Sequence, residues 1–394
     1  MISKKDIEQI LENYDLNEIT IGALGGHSAL DVCQGAKKFG FKTLVVAQKG
    51  REKTYSKYYK SRDGKGCVDD VLLVDKFSDI VNPELQEELR RRNTIFVHNR
   101  YFWVYCNFEE IERDFKVPIY GSRELVKLEE RDQPNNQYEL LAKAGIRLPK
   151  IIRKGKSGMS DNDLRKAFDK HFVKEKGGPL LIKVNEAIRG YERAFFVITK
   201  GEDYFSISKK MIADGVINKK DLDRAVIEEF VIGAQVNFNY FYSPLTNELE
   251  LMGTDTRRQT SLDGFLRFDA VVQSKLIEAG YKPSMIETGH IACTIKESIV
   301  EKAFLAGEKF VATMKKEVKG GIIGPFALQG AVSAESGKEE IVIFDVSMRI
   351  PGSPGTKYTP YSGYLYGQSI GYGERIAYEI YDAIPQGKLK DILT

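Results

Sequence analysis

The sequence predicts a mixed α/β protein: a parallel sheet covered on both faces, followed by an α+β region built on antiparallel strands. Three observations carry that expectation. Short apolar, β-favouring runs alternate with helical periodicity over residues 1–124, the rhythm of parallel strands joined by crossover helices. From about residue 125 the strand runs follow one another quickly, several close enough for hairpins. The length of 394 residues, 42% hydrophobic and 29% charged, is enough for two or three domains with their own cores.

The elements follow in order. Ser3 and Asp6 form a capping-box pattern for a helix over 4–13. Residues 19–24 read as the first strand, which meets Gly25-Gly26-His27-Ser28. A helix to about residue 38 follows, with Ser28 as its expected cap and Asp31 as the box partner. Residues 41–47, 71–74, 94–97 and 117–120 continue the strand series, with a helix at 83–92 between them. Beyond it, 136–144 reads as a helix, and 153–178 as a lysine-rich stretch with a helix near 160–172, on which His171 is expected to be exposed. Strands are expected at 179–184, 194–199, 226–232, 236–242 and 248–253. A long helix at 297–318 precedes strands at 324–332 and 340–346. Residues 351–373 read as loop, and a last helix runs to about 383.

Composition excludes several classes. The 59 basic and 56 acidic residues leave a net charge of +3, without the basic surplus of a dedicated nucleic-acid binder. No apolar run approaches a membrane span, and the first residues lack a signal-peptide core. The four cysteines (Cys33, Cys67, Cys106, Cys293) are scattered without a CxxC pair, so the expectation is a cytoplasmic protein with no disulfide framework and no membrane partner. Four histidines without HExxH or HxH spacing argue against a zinc enzyme, and no GxSxG supports a hydrolase of that type. Glycine is slightly enriched, at 35 residues, and six of these lie between 351 and 373.

The best local signal is the junction ITIGALGGHS. A glycine turn between a first strand and its helix presents backbone N–H groups to an anion at the helix N-terminus. The full GxGxxG spacing is missing, so a dinucleotide is not implied. His98, Asn99, Arg100 and Tyr101 follow the strand TIFV, so His98 and His27 are expected at one sheet edge, sharing a pocket. Lys183 ends the run LLIK, where its ammonium can reach a phosphate or simply snorkel to water. Glu228 and Glu229 are adjacent on a strand and so point to opposite faces, and at most one is forced into a cleft. Asp345 interrupts IVIFDVSMR. A carboxylate inside a buried strand needs a metal or a cation, and Arg257 and Arg349 are the candidate partners. Arg257, Arg258 and Arg349 are also candidate phosphate clamps. His290, in ETGHIAC, is a further candidate for a site-facing histidine.

Several stretches occur together in the order of one family: ITIGALGGHSALDVCQGAKKFGF, VPIYGSRELV, LLAKAGIRLPK, EEFVIGAQVNFNYFYSPL, SLDGFLR, GPFALQ and FDVSMR. Over nearly its whole length the chain resembles the archaeal formate-dependent AICAR ligases of purine (IMP) biosynthesis, members of the ATP-grasp superfamily. The resemblance implies a Rossmann-like domain at 1–124, an ATP-grasp small lobe with its linker at 125–233, and an ATP-grasp C-terminal lobe at 234–394. It implies ATP and Mg²⁺ as cofactors, formate and an AICAR-like ribonucleotide as small-molecule substrates, a formyl phosphate intermediate, and a homo-oligomer.

On this resemblance His27, Ser28, Tyr101 and Ser261 contact the ribonucleotide. Lys183 and Arg189 contact ATP phosphates, and Glu228 or Glu229 with the backbone near Val231 holds adenosine. Gln329 and Asp345 ligate metal, and Arg257 and Arg349 serve catalysis. Where the family has a glycine-rich phosphate loop, this chain has VNEAIRGYERAFF, with Gly190 alone. Arg189 and Arg193 are the candidate substitutes. A Lys183→Ala change is then expected to weaken ATP binding far more than stability. Two other functions stay open: a ligase for another ribonucleotide and carboxylate pair, and a non-catalytic nucleotide-binding partner subunit.

Overall fold

The computed structural model describes residues 2–131, 133–155, 157–184, 195–284, 286–334 and 337–394. Strands β1 (Thr20–Leu24), β2 (Lys42–Gln48), β3 (Asp70–Val74), β4 (Thr94–Val97) and β5 (Ile119–Tyr120) form a parallel sheet in the order β3-β2-β1-β4-β5. Every residue of β1 and β4 is buried. Their apolar runs are therefore continuous rather than alternating, as a sheet covered on both faces requires. The capping box at Ser3 and Asp6 starts the helix Lys4–Leu11 as expected.

The cap expected of Ser28 does not form. Its backbone is left-handed (φ 73°), and its hydroxyl donates to the Pro351 carbonyl at 3.0 Å, 323 residues further along the chain. Asp31 likewise accepts from the Gly373 N–H at 3.0 Å rather than closing a box. Both side chains that local pattern assigned to the helix Ala29–Lys38 serve instead to dock the C-terminal segment.

The second half carries two antiparallel sheets. Strands β6 (Ile151–Arg153), β7 (Leu180–Lys183), β8 (Phe195–Ile198) and β9 (Val226–Glu229) pair in the order β6-β9-β7-β8. Strands β10 (Ala234–Ser243), β11 (Glu248–Gln259), β12 (Glu287–Cys293), β13 (Gly324–Ser333) and β14 (Glu340–Ser347) pair in the order β12-β11-β10-β13-β14. The helix Glu297–Glu317 packs on the larger sheet through Ile299, Ala303, Phe310 and Met314. Strands β6 and β12 and the helices Gly201–Ala213, Lys219–Arg224 and Ala270–Glu278 were not expected from the sequence. The strand foreseen at 248–253 continues to Gln259, because its last residues, Asp255 and Arg257 among them, face a polar cavity rather than a core.

Residues 351–373 are not simply loop. They hold a 3₁₀ turn, Pro354–Tyr358, and the helix Tyr361–Tyr366. His171, expected on the surface, is 4% exposed. Its ring covers Gly177, and its Nε2 lies 2.8 Å from the Gly178 carbonyl.

The last helix, Tyr372–Ala383, returns to the first sheet and crosses Ala29–Lys38 at backbone contact. A Cβ on Gly35 would lie 2.0 Å from the Gly373 carbonyl carbon. The other face of this helix is fixed by Arg375, 2% exposed, which donates to Glu250 and to Glu379 (2.8 Å to each) and stacks over Phe241. The chain then pairs with β5: the Ile119 and Thr394 N–H groups donate to each other's carbonyls at 2.8 and 2.9 Å. Phe241 and Met252 of the larger sheet share a core with the helix Tyr372–Ala383 and the first sheet. These long-range ties hold the edge of the parallel sheet against the large antiparallel sheet, and the site forms at that junction. Among the described residues no helix is long and apolar enough to cross a membrane.

Candidate active site

Two polar clusters flank the large antiparallel sheet, one where the smaller antiparallel sheet meets β14 and one at the junction with the parallel sheet. The first is built on Lys183, the last residue of β7. Its Nζ lies 2.5 Å from a Glu228 carboxylate oxygen and donates to the Tyr138 hydroxyl (3.0 Å) and the Phe344 carbonyl (3.2 Å). Tyr138 donates to Glu228 at 2.6 Å. Glu228 is 1% exposed, so it is no solvated strand edge, while its neighbour Glu229 turns the other way and accepts from the Lys150 N–H at 3.0 Å. Opposite faces of one strand produce that split. Burial depresses the Lys183 ammonium to about 8, against the pull of Glu228. Lys183 is therefore paired inside the protein rather than snorkelling.

Asp345 belongs to the same cluster. It is 9% exposed, and its partner is Arg131, Nη2 to Oδ1 at 3.0 Å. Arg257 stands further off, at 4.0 Å from Oδ2. The expected pairing with Arg349 is not seen: that guanidinium is 3.6 Å from Glu129 and donates to the Ile350 carbonyl. Arg131 also lies over the Tyr138 ring. Val231 lies in the connection from β9 to β10, between Phe230 and Ile232, which are 37% and 58% exposed. Arg189 lies outside the described residues, as do Gly190 and Arg193.

The second cluster lines a cavity of about 20 Å³. His27 and Arg100 reach it from the parallel sheet. Asn237, Asn239, Asp255, Arg257, Glu287, His290 and Gln329 reach it from β10–β13, and Ser347, Arg349 and the backbone at 351–353 close it. His27 lies flat against Gly352, where a Cβ would be 1.9 Å from Nε2. Burial, and after it the charges of Arg349 and Arg100, push the His27 imidazole down to about 3, so it is neutral at pH 7.

His290 is the opposite case. Burial opposes its charge, but the hydrogen bonds its ring donates to Asp255 and Glu287 outweigh this and raise it to about 9. Burial is likewise outweighed at Glu287, which His290 and Arg257 bring down to about 2. Asp255 also accepts from Asn237 and Ser353.

Gln329 and Asp345 are register partners on β13 and β14. The Gln329 amide oxygen accepts from Arg257, and its nitrogen donates to Ser347 at 2.8 Å. Two oxygen donors side by side fit a magnesium ion that completes its shell with phosphates and water. Among the described residues no group of three or more His, Cys, Asp or Glu side chains forms a metal cage, and a shared ion of this kind needs none.

The other expected contacts lie apart from the cavity lining. Tyr101 covers Gly26, where a Cβ would meet its ring at 2.2 Å. Ser261 has φ 51° just past the end of β11 and bonds the Ser284 backbone. His98 is buried edge-on against Trp103, 5.6 Å between centroids, and does not share the cavity with His27. Sequence reasoning missed Tyr138, Arg131, Asp255 and Glu287. None carried the cue that singled out Asp345, since Asp255 falls two residues past the strand expected at 248–253.

Comparison with known proteins places this geometry in context. Residues 21–152 match a family model described as a protein of unknown function (DUF1246), and residues 203–394 match a domain of unknown function (DUF1297). The chain is 35% identical over 397 residues, covering all of both chains, to the 5-formaminoimidazole-4-carboxamide-1-(beta)-D-ribofuranosyl 5'-monophosphate synthetase of Methanococcus maripaludis. Its fold is similar to the crystal structure of an IMP biosynthesis protein PurP from Thermococcus kodakaraensis (TM-score 0.66, 23% identity, 95% of this chain and 100% of that one). A second fold likeness is the N5-carboxyaminoimidazole synthase of Aspergillus clavatus, solved with ADP and 5-aminoimidazole ribonucleotide (TM-score 0.58, 15% identity, 93% of this chain and 78% of that one).

Proposed function

Because the chain belongs to the family of 5-formaminoimidazole-4-carboxamide-1-(beta)-D-ribofuranosyl 5'-monophosphate synthetases, we propose that it is an ATP-dependent ligase that formylates AICAR with formate. A formate oxygen attacks the γ-phosphorus of ATP and releases ADP. The AICAR amine then attacks the formyl carbon, sheds its proton and expels phosphate. Little covalent chemistry falls to the protein, and its task is positioning and charge neutralisation.

In this reading Lys183 meets the nucleotide phosphates as a point charge, oriented by Glu228 and Tyr138. The connection at 230–233, with Phe230 and Ile232 exposed, offers the adenine an apolar seat. Arg257 and Arg349 neutralise charge on the transferring phosphoryl group. His27, kept neutral, offers the ribonucleotide a hydrogen bond and no charge. Ser28, Tyr101 and Ser261 stand outside the cavity lining and act on its supports: Ser28 ties the Pro351 carbonyl, Tyr101 covers Gly26 and Ser261 bonds the Ser284 backbone. Gln329 and Asp345 would hold Mg²⁺, which when bound draws off charge on the phosphate oxygens.

The observation that carries the reading is the link between the clusters. Asp345 is paired with Arg131 of the lysine cluster and faces Arg257 of the cavity, so nucleotide phosphates and ribonucleotide amine would meet at one carboxylate. The reading is tested by ADP release from purified protein with ATP, Mg²⁺, formate and AICAR. Rapid release only with all four present is expected. Equal release without AICAR or without formate would refute it.

A further inference from the structure

His290 is held between two carboxylates in a cavity otherwise rich in cations. Its Nδ1 lies 3.2 Å from Asp255 Oδ1 and its Nε2 lies 3.0 Å from Glu287 Oε1. An ionised carboxylate only accepts, so both ring nitrogens must donate, and only the imidazolium does so. The other Glu287 oxygen is 3.3 Å from Arg257 Nε, and Arg257 Nη2 donates to Gln329 Oε1. His290 and Arg257 are direct register partners on β12 and β11. The charged and titratable groups around His290 are Asp255 and Arg257 on β11, Glu287 on its own strand, His27 and Arg100 from the parallel-sheet side, and Arg349 beyond β14.

We propose that His290 is a positioning residue for the ligase reaction: it clamps Glu287, which fixes the Arg257 guanidinium beside Gln329 and Asp345. The proposal rests on the functional reading above. Without the clamp two things change together. Glu287 is free to swing, and Arg257 loses its ion pair with a fixed carboxylate. In addition, Asp255 loses its cationic partner and Glu287 one of two, which makes the cavity wall more negative beside the proposed phosphorylated substrate, where like charge repels. His290 need not touch the reacting atoms for either effect.

The test is a double-mutant cycle with an independent spectroscopic arm. His290→Gln and Glu287→Gln are each expected to lower kcat tenfold or more, with a smaller change in KM for ATP. Because both cut the same chain of contacts, the double variant should be no slower than the worse single one. Single variants within twofold of the unaltered protein, or losses that multiply in the double variant, would overturn the proposal.

Nitrogen-resolved NMR of the four histidines in the unaltered full chain is the second arm. His290 should be doubly protonated at pH 7.5, with His27 and His98 neutral. A neutral His290 there would overturn the clamp even if His290→Gln failed to fold. Absence of turnover in the unaltered protein, with His290 charged, would instead refute the functional reading, so the two failures are distinct.

Discussion

Replacing Lys183 by alanine is expected to lower turnover about a hundredfold or more and also to cost the fold about 3 kcal/mol. The second effect departs from what the sequence implied. A strand-end lysine read in isolation looks like a ligand for phosphate or a lysine snorkelling to water, and neither reading gives it a part in the fold. In the structure its ammonium is the ionic partner of Glu228, which is 1% exposed and, when the lysine is gone, keeps the Tyr138 hydroxyl and the less direct charge of Arg131. Removing one member of a buried pair leaves the other charge uncompensated, and that residue carries most of the destabilisation. A Lys183→Met, Glu228→Gln double variant separates the two roles. Its stability, read from denaturant midpoints, should return toward that of the unaltered protein while turnover stays lost. Turnover restored along with stability would assign Lys183 to the fold alone.

The second large effect is expected at Asp345. Asp345→Asn keeps the shape and one oxygen but removes the charge that faces Arg131 and Arg257. The Mg²⁺ concentration giving half-maximal rate should rise tenfold or more, because a neutral amide oxygen is a poorer ligand for a hard cation than a carboxylate. An unchanged Mg²⁺ titration with reduced kcat would mean that Asp345 only orients the two arginines. The control is Gln329→Glu, which adds a carboxylate at the paired position. It should tighten the Mg²⁺ requirement if both residues ligate the ion, and leave it unmoved if neither does.

The sequence carried local order well and long-range order poorly. β4 lies at the residues foreseen, and β1 starts one residue late, because a doubly buried strand writes itself as an unbroken apolar run. Ser28 shows the opposite. Its position before a helix is typical of a cap, yet its hydroxyl is taken by Pro351, a contact that no local window contains. The partner of Asp345 was sought among arginines near it in sequence or in motif, whereas it is Arg131, from the segment before Tyr138. Residues 351–373, with six glycines, read as loop. Half-buried and packed between His27 and the last helix, they fold into two short helical turns. Contact distances account for two of the glycines. Gly352 is small so that His27 can lie against it, and Gly373 so that two helices can touch.

The central claim is that formate is activated as its acyl phosphate and passed to the AICAR amine, and isotope transfer tests it most directly. With ¹⁸O-labelled formate, ATP, Mg²⁺ and AICAR, one labelled oxygen should appear in the phosphate released, in step with formylated ribonucleotide measured by mass. Phosphate free of label, or ADP formed without formylated product, would contradict the account.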